Sequence, residues 1–350
     1  MDILNILGAV KAPSGLWANV INWLEGGVLN YALVMILLGV IIKIIMIPFD
    51  FYNRFVTKKN SQMMAVLQPE INKINKAYAN NPNLKNQKTA ELYKKHNYNV
   101  YGTCAGMLLY MVLSMVIFFT LWNSLRGFSS YKIAQEFDTL QSTYNTTYNQ
   151  YYDSYNTDKL TNTQLNDLTP EAYATMKAES QVVSKYGEIK TGFLWIENIW
   201  RPDTSANVTL SYKKFLKETK QKDDVVSEVE YNKVMKPIKA EYNTWNGWYL
   251  LAVINGLLSL GSMYITELIS KHKAKKQNKQ YISTTNKSMM IIMPIIMALF
   301  IIFYNAAFGL YIVAGSACQL IISPIVSMIV DKLMDKKEKN KPSNKPIYSR

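Results

Sequence analysis

"VIIKIIMIPFDFY", residues 40 to 52, sets Lys43 inside an apolar run and follows it with Pro48 and Asp50. The run begins near residue 29, so it reaches the roughly 20 residues that a helix needs to cross about 30 Å of hydrocarbon. An ammonium group in such a segment costs about 2.5 to 3.5 kcal/mol on insertion scales. Two readings of Lys43 stay open. Either it faces a watery cavity, or it snorkels over the roughly 10 Å that separate it from the end of the run.

Four further apolar blocks share this length. The whole-chain averages, 49% hydrophobic residues and a mean hydropathy of -0.06, conceal them because the apolar residues are concentrated. The five blocks run over 29–48, 103–125, 247–269, 288–305 and 307–330, the last two separated by a tight turn at Asn305, Ala306 and Ala307. Lipid offers backbone groups no partners, so each block is expected as a helix and the chain as an all-α polytopic membrane protein. Met1 to Val10 carries Asp2 and Asn5 where a basic leader would stand, so the first span is expected to do the targeting.

Orientation follows from the basic segments, which stay in the cytoplasm. Residues 49–100 hold nine Lys and Arg against three acids, residues 270–288 hold six against none, and residues 331–350 hold seven against three. The long segment 126–244 is balanced, with fifteen against sixteen, and is expected outside. The N-terminus is therefore expected out and the C-terminus in, at a cell membrane. Topology and attraction to anionic lipid account for the net charge of +14, so no DNA or other nucleic-acid partner is required, although a basic tail suits ribosomal RNA.

Enzyme chemistry has no residues to stand on. Cys104 and Cys318 both fall in spans, His96 and His272 lie in Lys-rich stretches, and no metal cluster, nucleotide loop or nucleophile motif is present. No cofactor is expected.

Outside the spans the pattern is helical. "SGLWANVINWLEGG", within residues 1–28, sets Leu16 or Trp17, Val20, Ile21 and Leu24 on one face, as an interfacial helix would. Residues 49–102 read as a basic cytoplasmic hairpin broken by "NNPN" at 80–83, with Pro69 expected to kink its first arm. The outer insert, 126–246, opens with "STYNTTYNQYYDSYNTDKLTNTQLND", which is poor in branched aliphatics and expected to wander over the surface. Residues 170–190 and 206–244 read as solvated helices, and "GFLWIENIWRPD" between them as an aromatic element at the outer membrane surface. A basic loop, 270–287, and a basic tail, 331–350, complete the chain.

Two spans carry polar stripes. Asn255, Ser259, Ser262 and Thr266 fall at i, i+4, i+7 and i+11, and Ser316, Gln319, Ser323 and Ser327 at i, i+3, i+7 and i+11. Such stripes either hydrogen-bond helices together or line water.

The ordered combination of "KIIMIPFDFYNRF", "MMAVLQPEINKINKAY", "ELYKKHNYN", "GTC", "FLWIENIWRPD" and "NKSMMIIMPIIMALFIIF" resembles the YidC/Oxa/Alb family of membrane protein insertases. The resemblance implies five core helices around a hydrophilic groove that is closed outward, with a basic residue inside it where Lys43 falls. It implies a groove lined by Lys43, Asn255, Ser259, Ser316 and Gln319. A client slide is implied at Phe300, extended by Met107, Met111, Phe118 and Phe119. Nascent membrane proteins would be the partners, with the ribosome, a Sec translocon and the lipid bilayer beside them. The chain departs from the family in having Lys43 where Arg is usual, Asn99-Val100 and Cys104-Ala105-Gly106 before and within the second span, Tyr110 in place of Gln, and Asn305-Ala306-Ala307 before the fifth. The alternatives are a small anion transporter or channel using a Lys43 cavity, and a scaffold that presents the insert.

Overall fold

The computed structural model describes residues 10–27, 30–96, 98, 100–161, 167–221, 225–276 and 287–339. It gives an all-α protein of the polytopic membrane class, with ten helices and no strand among the described residues. They are α1 (Leu16–Gly27), α2 (Tyr31–Ala77), α3 (Pro82–Lys95), α4 (Val100–Thr161), α5 (Pro170–Ile189), α6 (Tyr212–Thr219), α7 (Glu228–Glu241), α8 (Leu250–Lys276), α9 (Lys287–Phe303) and α10 (Ala306–Lys339). Among them α2, α4, α8 and α10 are long and apolar enough to cross a membrane, and Ile291–Phe303 within α9 is a shorter apolar helix.

Two compact units divide the chain. One contains Met1–Gly39, Phe119–Ile254 and Met297–Val313, and the other Val40–Phe118, Asn255–Ile296 and Ala314–Arg350. The first includes the whole insert, 126–246, and is called the insert unit below. The second carries Lys43 and the hairpin and is called the hairpin unit.

In the insert unit, α4 buries Phe128, Ile133, Phe137, Leu140 and Tyr144, spaced to keep one helical face inward. Phe137 lies 5.0 Å from the ring of Phe215 on α6 and 5.2 Å from that of Tyr231 on α7. The Tyr-rich stretch expected to wander is helical as far as Thr161. Tyrosine does there what aliphatics do elsewhere. Tyr144, Tyr148 and Tyr152 stack at four-residue spacing, and Tyr151 and Tyr155 pack on Tyr173 of α5. Residues 162–166 of that stretch, the centre of the basic loop at 277–286, the tail from 340, and residues 1–9 lie outside the described residues. The insert's second half forms two short helices, α6 and α7, the latter opened by a Ser227/Glu230 capping box.

Helix α1 buries Ala18, Ile21 and Leu24 and leaves Leu16 and Trp23 exposed, an amphipathic arrangement with apolar side chains on its open side. In the hairpin unit, α2 continues as a helix through both Pro48 and Pro69 to Ala77. The chain turns at Tyr78–Asn81, Asn81 caps α3 by accepting from the Leu84 amide at 3.1 Å, and Leu67, Ile71 and Leu92 close the hairpin's small core.

Candidate functional site: a charged face on α2

Within the hairpin unit, α2 sets Lys43, Asp50 and Arg54 at i, i+7 and i+11 on one face. Lys43 is half-buried and interacts electrostatically with Asp50 and, on α10, Cys318. None of the ion pairs among the described residues includes it. Asp50 is buried, and Arg54 Nε lies 3.0 Å from each of its carboxylate oxygens. Arg54 Nη2 donates to Ser323 Oγ at 2.7 Å, and Ser323 shares a 3.1 Å hydrogen bond with Thr266. Tyr110 of α4 lies within the electrostatic reach of Asp50 and Arg54.

The two polar stripes meet each other. Ser316 donates to Asn255 Oδ1 at 2.7 Å, Ser262 to the Gln319 backbone carbonyl at 3.3 Å, and Thr266 pairs with Ser323. Small residues such as Gly261 let α8 and α10 approach closely enough for these bonds. Asn255 is 1% exposed and its amide nitrogen has no hydrogen-bond partner among the described residues, whereas Ser259, Ser316 and Gln319 are half-buried. Further along the same helices, Asp331 is held by Lys58 at 3.1 Å and Lys273 at 3.5 Å, over an apolar layer of Ile47, Phe51, Phe55, Ile322, Val326, Val330 and Met334.

Of the slide residues, Phe119 and Phe300 both pack on Trp122 in the insert unit, with ring centroids at 6.0 and 6.4 Å. Met111 is exposed and Phe118 half-buried on α4 in the hairpin unit, and the Met107 side chain lies outside the described residues. The apolar span of α4 is the least covered of the four long ones, with Leu108, Leu109, Met111, Val112, Met115, Val116 and Phe119 all open. Sequence reasoning passed over Arg54 and gave Asp50 no role. The signal was available, because an acid and a base four residues apart extend the face that begins at Lys43.

In the insert unit the aromatic element is a hub. Arg201 and Ile199 accept through their carbonyls from Ala306 and Ala307 at 2.8 and 2.9 Å, which fixes the turn before α10 together with Asn305, whose Oδ1 accepts from the Phe308 amide. Asp203 accepts from the amides of Trp248 and Leu251 at 2.8 and 2.7 Å and so anchors the start of α8. Glu136 receives Arg201 Nη2 at 3.3 Å and Asn198 Nδ2 at 2.9 Å, and burial raises its carboxyl above the ordinary 4.5 despite both donors. Among the described residues no cluster of His, Cys, Asp and Glu could hold a metal ion.

A family model described as 60Kd inner membrane protein matches residues 23–334. A membrane protein insertase YidC of Anaeromyxobacter sp. (strain Fw109-5) is 33% identical over 124 residues, 33% of this chain and 21% of that protein. One from Clostridium tetani is 31% identical over 100 residues, 29% of this chain and 43% of that protein. One from Fusobacterium nucleatum subsp. nucleatum is 33% identical over 101 residues, 29% and 47% of the two. The chain therefore spans less than half the length of each of these relatives. No solved structure matches it.

Proposed function

The chain belongs to the 60Kd inner membrane protein family, the YidC/Oxa/Alb proteins, and on that premise we propose that it moves hydrophobic segments of nascent proteins from the cytoplasm into the lipid bilayer. The observation that carries the mechanism is Lys43: half-open on an apolar helix and in no ion pair with a described residue, it is available to a passing anion. Lys43, with Ser259 and Gln319, lines a hydrophilic groove that holds water partway into the membrane and shortens the apolar distance a client's polar tail must cross. Asn255 and Ser316 face each other and hold the groove's wall. The client's apolar helix leaves along the sparsely covered α4 and past Phe300, and Met111 adapts to clients of different shape.

Burial of the client helix, at about 25 cal/mol per Å² of apolar surface, supplies the driving force, so no nucleotide is consumed. The protein sits in the cell membrane with its N-terminus outside and its hairpin and basic tail in the cytoplasm, where both can meet the ribosome; a Sec translocon is a further partner. Site-specific crosslinking tests this reading. Photoreactive groups at positions 43 and 300 should capture a stalled single-span nascent chain, the first through its tail and the second through its apolar segment. Capture at neither position, with the protein folded in the membrane, would contradict it.

A further inference from the structure

Client attraction by Lys43 employs one cation of the α2 face, which carries two further charges, Asp50 and Arg54. Lys43, Asp50 and Arg54 make a sequence of cation, anion and cation along about 16 Å of helix, taking 1.5 Å per residue. A carboxylate as buried as Asp50 needs a partner, and Arg54 supplies it through Nε. The bonds to Asp50 and Ser323 occupy the Nε and Nη2 edge of the guanidinium. Its Nη1 donates to no described residue, and the side chain is 23% exposed. A planar fork can hold one edge in place and offer the other, whereas an ammonium group is a single point. The two cations and one anion leave one net positive charge on the face.

Resting on the insertase reading, we infer that Arg54 is a second carboxylate-binding subsite, at the hairpin end of the face, which receives an acidic client tail before Lys43 does. Asp50 is its positioning residue. It keeps the fork oriented and lowers the face's attraction for acids enough that a captured tail is released inward to Lys43. Ser323 of α10, itself bonded to Thr266 of α8, fixes the fork, and Tyr110 of α4 lies within its electrostatic reach.

The test uses the full-length protein in liposomes and a single-span reporter made with either a neutral or an acidic tail. Arg54→Gln should lower protease protection of the acidic tail about tenfold, as loss of one ion pair would, and leave the neutral tail unchanged. Arg54→Lys should restore part of the loss. The difference between wild type and Arg54→Gln should shrink as salt is raised. Asp50→Asn, which keeps an acceptor for Arg54 without the competing charge, should increase crosslinking of acidic tails to a photoreactive group at the neighbouring position 57, which leaves Arg54 in place. Equal impairment of both tails by Arg54→Gln would mean that Arg54 only ties α2 to Ser323, and unchanged protection of the acidic tail would mean that no tail binds there; either result overturns the subsite. If the wild-type protein protects neither tail, the insertase reading falls and the subsite with it.

Discussion

In the insert unit Arg201 and Glu136 have side chains 5% and 10% exposed and are paired with each other, while Lys43 in the hairpin unit is half-open and has no described ion-pair partner. Both sites hold charge away from bulk water. The difference lies in what each charge is occupied with. Arg201 is enclosed by its own chain: its carbonyl holds the α10 turn, its guanidinium meets Glu136, and its Nε and Nη1 are buried without partners among the described residues. Lys43 interacts electrostatically with Asp50 and Cys318 and enters no ion pair among the described residues. A charge enclosed and ion-paired within the fold serves architecture, whereas one in no described ion pair is the candidate for meeting a client. Substitutions in the two places should therefore fail differently, the first in stability and the second in client choice.

The largest effect is expected from Glu136→Ala. Removing one member of a buried pair leaves Arg201 uncompensated and Asn198 short of an acceptor, at a cost of about 3 to 5 kcal/mol. Limited proteolysis of the insert in nanodiscs should show faster cleavage and a lower melting temperature. Glu136→Gln keeps an acceptor for Asn198 and Arg201 but also leaves the guanidinium charge uncompensated, so it should cost somewhat less than Glu136→Ala. Its pH dependence follows the same physics. Because burial raises the folded carboxyl above its ordinary 4.5, the folded state binds more protons than the unfolded one between the two values. Stability of the insert is full below that ordinary value and declines as pH rises through the raised one. Thermal melts across mildly acidic pH should show the decline in wild type and not in Glu136→Gln.

A smaller loss is expected at Asp203. Its carboxylate binds the amides of Trp248 and Leu251, and Asp203→Ala should cost about 1 to 2 kcal/mol, as loss of a helix cap does. Faster amide exchange confined to the first turn of α8 would register it. Gly247→Ala should give the same signature, since a Cβ there would overlap the Asp203 carboxylate. The smallest change is expected from Ser316→Ala, about 0.6 kcal/mol for one interhelical hydrogen bond in a membrane. Insertion of clients should be unaffected. A marked insertion defect at unchanged stability would mean that Ser316 meets the client directly rather than only bracing the groove's wall.

The all-α class, the presence of several apolar helices and the α5 boundaries were legible in sequence because period and punctuation are local properties. The helical course of residues 142–161 was not. Its tyrosines at four-residue spacing form a packing ladder, but a reading that counts aliphatics sees only polarity there. The polar stripes of α8 and α10 were legible as stripes, yet spacing along one helix cannot say whether a hydroxyl faces water or another helix. Glu136 and Arg201, 65 residues apart, carry no local pattern at all. Lys43 stood out because its cost is local; the Asp50 and Arg54 pair was equally local, and only Arg54's bond to Ser323, 269 residues away, carried no sequence signal.

The central claim is that Lys43 attracts a client's acidic tail, and protease protection of reporter tails carrying increasing numbers of acids measures it directly. In cells depleted of other insertases, with expression matched, Lys43→Ala should lose protection progressively as acids are added, while Lys43→Arg should follow the wild type. Equal protection by Lys43→Ala and wild type across the whole series would contradict the claim and leave Lys43 a snorkelling residue.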